Sequence, residues 1–325
     1  MPQQVEKITS PALIADNPQF IYLPFIQTSA SPDRYLDVND RQRVVNYYLE
    51  NYVNAPVPSI QWDGNLQNCD PGTVDQGFQD ATLVRLNFFR AMAGVPSEIT
   101  FSAESNEKAQ AAVLMMSVNN ALSHNPPADW TCYSTFGAAG AGSSNLIIGA
   151  YGWVAIYYYM KDPGGGNEAV GHRRWVLYPQ TQVMGSGDIP PQPGYALTNA
   201  LVVFDEHIWE ARPATRDNFV AWPPPGYVPY QVVYPRWSFS YPKADFSNAL
   251  VSMTLSGTNL TIHQEPVKNG YGENSLVWIP DGLNDGSSWP NPGIDTRYTV
   301  NISNVKIDGI ARDFHYDVII IDPGG

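Results

Sequence analysis

Cysteine, histidine and basic residues are scarce in this sequence of 325 residues. It has only two cysteines, Cys69 and Cys132, and five histidines. The separation of the two cysteines rules out a CxxC metal site and is consistent with one disulfide, with two buried free thiols as the alternative. A Cys69–Cys132 disulfide would imply an oxidising compartment.

The shortage of basic residues limits the partners of the chain. It has 18 lysines and arginines against 31 aspartates and glutamates, which gives a formal net charge of −13 and a pI near 4.6. No cluster of Lys and Arg is present to displace counterions from nucleic acid or anionic lipid, so the composition argues against both as partners.

Long apolar runs are also missing. No uncharged apolar stretch reaches the roughly 18 residues of a membrane-spanning helix. The start, MPQQVEKITSPALIADNPQF, lacks the basic and then apolar pattern of a signal peptide. We therefore expect a soluble chain without a membrane span, whose export signal, if it has one, has been removed or lies outside this sequence.

Apolar and aromatic residues are abundant, at 43% and 12% of the chain. This composition supports a large core, and the length favours two domains. Helical periodicity predicts a domain over residues 40–206, preceded by an extended arm at 1–39. Short alternating strands predict an all-β, Ig-like sandwich at 207–325, reached through the proline-rich connector WPPPGYVPY. The fold class is therefore α+β.

Within residues 40–206, four helices are predicted from capping residues and apolar spacing. The first helix begins near Asp40, and the other three span about 74–93, 103–123 and 150–161. In the third helix Met116, Asn120 and His124 are spaced by four and share one face, with His124 in the last turn. The apolar run from Trp175 onward predicts a strand, with His172 at its start.

Five short motifs follow one another in an order known from one family: LNFFRAMAGV (86–95), AQAAVLMMSVNNALSH (109–124), GSSNLIIG (142–149), GHRRWVLYP (171–179) and MGSG (184–187). In this order they resemble the CAP superfamily, which comprises cysteine-rich secretory proteins, antigen 5 and pathogenesis-related 1, and especially its bacterial SCP-like extracellular branch. The resemblance implies a secreted protein with an α-β-α sandwich, in which helices cover both faces of a three- or four-stranded antiparallel sheet.

The resemblance also implies a central cavity with two histidines, here His124 and His172. The family's two cavity glutamates align with Ser144 and Tyr159, so both carboxylates are missing. Two imidazoles alone make a poor divalent site, since zinc generally needs three protein ligands. No cofactor is expected; zinc on His124 and His172 stays an alternative that needs a carboxylate from Glu104, Glu107 or Glu168.

Several residues near the cavity have two interpretations. Ser144 is either a nucleophile with His124 or His172 as its base, or the N-cap of a following helix. Arg173 either faces an acidic ligand or anchors the fold through Glu168 or Asp162. The glycine-rich stretch GAAGAG (137–142) lacks the Lys-Ser/Thr of a phosphate loop and is predicted to be a flexible rim.

Tryptophans mark a second candidate surface in the β domain. Trp237 and Trp278 lie within predicted strands and favour the core, whereas Trp222 and Trp289 lie among Pro and Asn and favour the surface.

Three functions follow. The leading one is a non-catalytic module that binds a small molecule, lipid, glycan or peptide in a cleft formed by His124, His172, Ser144, Asn145, Tyr159 and Arg173. The second is an extracellular hydrolase that uses His124, His172 and Ser144. The third is an adhesive or structural surface protein that binds through the aromatic residues of the β domain.

Overall fold

A computed structural model describes residues 35–324 of the chain. The arm predicted at 1–39 lies outside the described residues, except for 35–39.

The first half of the described chain is mostly helical. The helices are α1 (Arg41–Tyr48, continued by a π-helical turn at Leu49–Val53), α2 (Gln76–Ala93), α3 (Ala103–Asn119), α4 (Thr135–Gly142), α5 (Gly152–Lys161) and α6 (Gly171–Val176). The side chains of Asp40, Asp75 and Ser102 cap α1, α2 and α3 by accepting a hydrogen bond from a backbone N–H of the first turn. The predicted positions of α1, α2 and α5 are confirmed to within two residues.

These helices enclose a four-stranded sheet. Its strands are β1 (Thr100–Phe101), β2 (Ser144–Ile148), β3 (Val183–Ile189) and β4 (Thr198–Val202), in the order β1-β3-β4-β2. The pairs β3–β4 and β4–β2 are antiparallel, and β1 runs parallel to β3. Ala200 and Val202 of β4 belong to the core with α3, whereas Leu201 belongs to the core with α2 and α5. Helices therefore cover both faces, and the predicted α-β-α sandwich is confirmed.

The predicted placement of both histidines in secondary structure is wrong. Helix α3 stops at Asn119 because Asn120 adopts a left-handed conformation with φ 46°. His124 thus lies in an irregular segment beyond the helix and shares no helical face with Met116 and Asn120. His172 lies in the first turn of α6, not at the start of a strand, and the strand that follows begins only at Val183.

The glycine-rich stretch GAAGAG is helix α4 and not a loose rim. Its glycines allow a close approach to α3, because a Cβ added at Gly140 would lie 2.2 Å from the Lys108 carbonyl oxygen. At Gly137 the corresponding distance to the Ala111 carbonyl oxygen is 2.9 Å. Ser144 opens strand β2, so the prediction that it caps a helix is also wrong.

The second half is built from strands: β5 (Val220–Trp222), β6 (Gly226–Pro229), β7 (Trp237–Ser240), β8 (Leu250–Leu255), β9 (Thr258–Leu260), β10 (Ile262–Gln264), β11 (Ser275–Pro280), β12 (Thr296–Ile307) and β13 (Ile310–Ile321). They form one sheet in the order β10-β11-β7-β5 and another in the order β6-β13-β12-β8-β9. Rings of β7 contact rings of β12 and β13, so the two sheets form a sandwich. Strands β8 and β9 pair antiparallel as a hairpin.

Two predictions about this half are wrong. The segment WPPPGYVPY is more than a connector, because it contributes the last residue of β5 and all of β6. Trp222 and Trp289 are buried like Trp237 and Trp278, so the predicted aromatic surface loses both of its tryptophans. Trp222 lies against Phe89 of α2 with 5.3 Å between ring centroids, within an apolar core that continues from the helices into the β strands. The domain boundary between residues 206 and 207 stays a prediction.

Candidate functional site

His172 is held by a buried carboxylate that the sequence motifs did not point to. Its Nδ1 lies 2.7 Å from Oδ1 of Asp162, whose side chain is only 1% exposed. Because a carboxylate accepts, Nδ1 carries the proton, and Nε2 of the neutral ring is left as an acceptor. Among the described residues His172 Nε2 has no hydrogen-bond partner, and the side chain is 25% exposed.

Asp162 reaches this position because it ends helix α5. It adopts a left-handed conformation with φ 52°, which turns the chain after Lys161. Its Oδ2 accepts the backbone N–H of His172 at 3.0 Å and that of Arg173 at 3.5 Å. The carboxylate therefore satisfies the first turn of α6 and orients the imidazole at the same time.

The floor of the site is formed by buried polar side chains. The Tyr159 ring packs on His172 with 5.4 Å between centroids, and its hydroxyl donates to Asn199 Oδ1 at 2.8 Å. Burial raises the pKa of Tyr159 well above its ordinary value, so the hydroxyl stays protonated. Asn145 donates through Nδ2 to the His172 carbonyl at 3.0 Å. Tyr159 thus supports the His172 ring, and Asn145 fixes the His172 backbone.

His124 lies on the opposite side and is held by backbone alone. Its Nδ1 lies 3.0 Å from the carbonyl oxygen of Ala141, at the end of α4. A carbonyl only accepts, so Nδ1 again carries the proton and Nε2 is left as an acceptor. No described residue bonds to His124 Nε2, and the residue is exposed.

The two histidines line the same cleft. A cavity of about 380 Å³ and a second of about 330 Å³ adjoin each other, and His124, His172 and Asn167 line both. Tyr159 and Asp162 line the first cavity, and Ser144 and Asn145 line the second. Both imidazoles thus line the same two cavities, and their role in a common ligand site stays a prediction. Asp162 and Asn167 were missed as lining residues, because each stands alone in the sequence without a partner at a recognisable spacing.

Ser144 lacks the setting of a nucleophile. Its hydroxyl is buried and donates to the Gly140 carbonyl at 2.7 Å. No described imidazole lies within hydrogen-bond distance of it, and a serine nucleophile requires such a base.

Arg173 points away from the cleft, contrary to the interpretation as a ligand contact. Its guanidinium donates to the carbonyls of Met160 at 2.7 Å and Arg236 at 2.7 Å. Burial lowers its pKa to about 10, and the nearby Asp162 carboxylate opposes that shift. Arg173 thus anchors α6 to the end of α5 and to the start of β7, through two carbonyls and the Ser238 hydroxyl at 3.1 Å, rather than through a side-chain bond to Glu168 or Asp162.

A divalent metal does not fit these residues. The described part of the chain has no group of three His, Cys, Asp or Glu side chains that could hold one. Both oxygens of Asp162 are already used by His172 and the start of α6. Glu104, Glu107 and Glu168 line neither cavity, and Glu168 pairs instead with Lys268 at 2.8 Å and Glu104 with Lys108 at 2.7 Å.

The described chain thus combines an α-β-α sandwich, one disulfide, Cys69–Cys132, and a cleft lined by two histidines. Residues 83–203 match the model of the cysteine-rich secretory protein family, so this segment of the chain is a CAP domain. His124, Ser144, Tyr159, Asp162 and His172 all lie within the matched segment. None of the curated proteins compared with the chain matches it.

Within residues 35–324, no helix is both long enough and apolar enough to span a bilayer.

Proposed function

We propose that this protein is a secreted CAP protein that binds an uncharged ligand non-covalently in the cleft between His124 and His172. The observation that carries the proposal is the pair of imidazoles in one cleft, each with Nδ1 bonded to the protein and Nε2 left for a ligand. Such convergent polar groups in a partly apolar cavity are typical of ligand sites.

The charge of the lining favours an uncharged ligand. Lys, Arg and Glu are absent from the described lining of both cavities, and the one carboxylate, Asp162, is buried behind His172. A phosphate or carboxylate would lose its hydration in this cleft without gaining a cation. A ligand with hydroxyl or amide groups would instead donate to the two Nε2 atoms.

Secretion is supported by the disulfide and by the acidic, lysine-poor composition. The matched family is described as secretory, which agrees with this location.

Hydrolysis is the second candidate, and the Asp162–His172 pair is the observation that favours it. An imidazole oriented by a carboxylate acts as a general base, so His172 Nε2 would accept a proton from an attacking water. A panel of esters, peptides and glycosides tests this function, with His172→Ala as the inactive control. Turnover that survives in His172→Ala would contradict it.

The adhesive function is not proposed, because Trp222 and Trp289, the two tryptophans expected on the surface of the β domain, are buried.

Binding is tested by titrating the protein, labelled with isotopes in its histidines, with three probes: neutral oligosaccharides, a short uncharged peptide and a neutral single-chain lipid. We expect at least one probe to shift the ring signals of His124 and His172 but not those of His263, which is 70% exposed in β10. The affinity of the protein for that probe should fall at least about tenfold in His124→Ala/His172→Ala. A protein that binds no probe, or whose affinity is unchanged in the double variant, would contradict the proposal.

A further inference from the structure

One wall of the second cavity comes from outside the CAP segment. Gly270 and Tyr271 line this cavity, and they belong to the loop between β10 and β11, more than 60 residues beyond the end of the family match at residue 203. The β strands therefore complete the cleft.

Arg174 fastens this loop to helix α6. Its guanidinium donates to the Lys268 carbonyl at 2.7 Å and to the Glu273 carbonyl at 3.0 Å. A salt bridge of 2.8 Å joins Lys268 to Glu168 beside it. Because Arg174 is buried, these bonds are shielded from water and fix the loop on both sides of Tyr271.

Tyr271 as a result lies against Gly171, the residue before His172. A Cβ added at Gly171 would stand 2.9 Å from the Tyr271 ring, so the ring lies against the backbone at the start of α6. The Arg174 guanidinium lies 5.5 Å from the ring centroid. Tyr271 is nevertheless 41% exposed. Its ring is held in place while part of its surface stays free.

Two further rings line the same cavity. Trp175 and Phe204 contact each other edge to face with 4.5 Å between centroids, and Phe204 is 37% exposed. The cavity thus combines aromatic surface with the hydrogen-bonding groups of His124, His172 and Asn167. A sugar ring has the matching chemistry, with an apolar C–H face for an aromatic ring and hydroxyls for imidazole and amide groups.

We propose that the ligand is a neutral carbohydrate chain that spans both cavities, with one sugar stacked on Tyr271 of the β region. This inference rests on the proposed binding function and narrows it to one class of ligand. It also makes Tyr271 a specificity-determining residue contributed from outside the CAP segment.

The experiment measures the affinities of two- and six-unit oligomers of glucose, xylose, mannose and N-acetylglucosamine by calorimetry. At least one hexamer should bind more tightly than its dimer. Tyr271→Ala should weaken binding of that hexamer roughly 3- to 10-fold, the range of an aromatic contact, whereas Tyr271→Phe should retain it. Trp209→Ala is the matched control, since Trp209 is 89% exposed and lines neither cavity.

The outcomes separate this inference from the proposed function. If the peptide or lipid probe shifts both histidine rings and no oligosaccharide binds, the carbohydrate inference is wrong and the binding function stands. A hexamer that binds equally well to wild type and Tyr271→Ala overturns the role of Tyr271. If none of the three probe classes binds, both proposals fall.

Discussion

The two walls of the cleft are held in different ways. The wall with His172 consists of helices α5 and α6, and charged side chains fix it: Asp162 ends α5 and orients the imidazole, and Arg173 ties α6 to the β strands. The wall with His124 is an irregular segment after α3. There a backbone carbonyl holds the imidazole, and Cys132 ties the segment to Cys69.

This difference indicates different roles for the two histidines. His172 is preorganised because its partner Asp162 and the floor residues Tyr159 and Asn145 are buried. His124 is exposed and depends on one hydrogen bond and on a covalent link eight residues away. We therefore expect changes at the first wall to alter binding and stability together, whereas changes at the second should act mainly on the His124 segment.

The largest effect is expected from the disulfide. Cys69 and Cys132 are 63 residues apart, and closing such a loop stabilises the fold by about 4 kcal/mol in the chain-entropy model. Cys69→Ala/Cys132→Ala should lower the free energy of unfolding by about this amount in urea titrations. Hydrogen exchange should rise in residues 120–134 and stay unchanged in α6. Faster exchange in α6 by the same factor would show that the two walls are not independent.

Removal of Asp162 tests the other wall. Asp162→Ala leaves the His172 ring and the first turn of α6 without their acceptor, and we expect a loss of about 3 kcal/mol of stability. Asp162→Asn is the matched control, because its one amide oxygen still accepts from the first turn of α6 while its Nδ2 replaces the oxygen that faces His172, and asparagine tolerates the left-handed conformation. Asp162→Asn should therefore lose less stability than Asp162→Ala. Urea titrations measure both. Equal losses in the two variants would contradict the role of the side-chain oxygens.

The stability of the same wall should depend on pH through Asp188, a residue of β3 that accepts from the first residue of α5. Its buried carboxylate accepts from the Gly152 N–H at 2.7 Å and from Asn199 Nδ2 at 2.7 Å, and burial raises its pKa to about 6. Since the pKa is raised on folding, this group stabilises the fold at low pH, and the contribution is lost as pH rises from about 4 through about 6. The upper limit is about 3 kcal/mol.

Asp188→Asn isolates this effect. Between about pH 4 and pH 7.5 the stability of the wild type should fall relative to that of the variant, as followed by urea unfolding. A difference between the two proteins that is constant with pH would contradict the account of Asp188.

The smallest effect is expected at Ser144. Ser144→Ala removes one buried hydrogen bond, so stability should fall by about 1 kcal/mol in a urea titration. Any hydrolysis found in the substrate panel should continue in this variant. Its loss in Ser144→Ala would restore the serine as a nucleophile.

The sequence predicted the parts of the site that depend on motif order and failed where one residue redirects the backbone. The CAP resemblance placed His124 and His172 in one cleft, although their secondary structure was wrong. Asn120 ends α3 early through a left-handed conformation, and Asp162 supports α6 where the apolar run favoured a strand. Tyr271 could not be assigned to the cleft, because its place depends on a contact between two halves of the chain.

The most direct test of the account is the proximity of the two histidines. Both native cysteines are in the disulfide, so His124→Cys/His172→Cys introduces the only free thiols. A short bifunctional maleimide should link them within one molecule, as seen by intact mass, and should fail to link the control pair His124→Cys/His263→Cys. Equal yields for the two pairs, or no link in the first, would contradict a shared cleft.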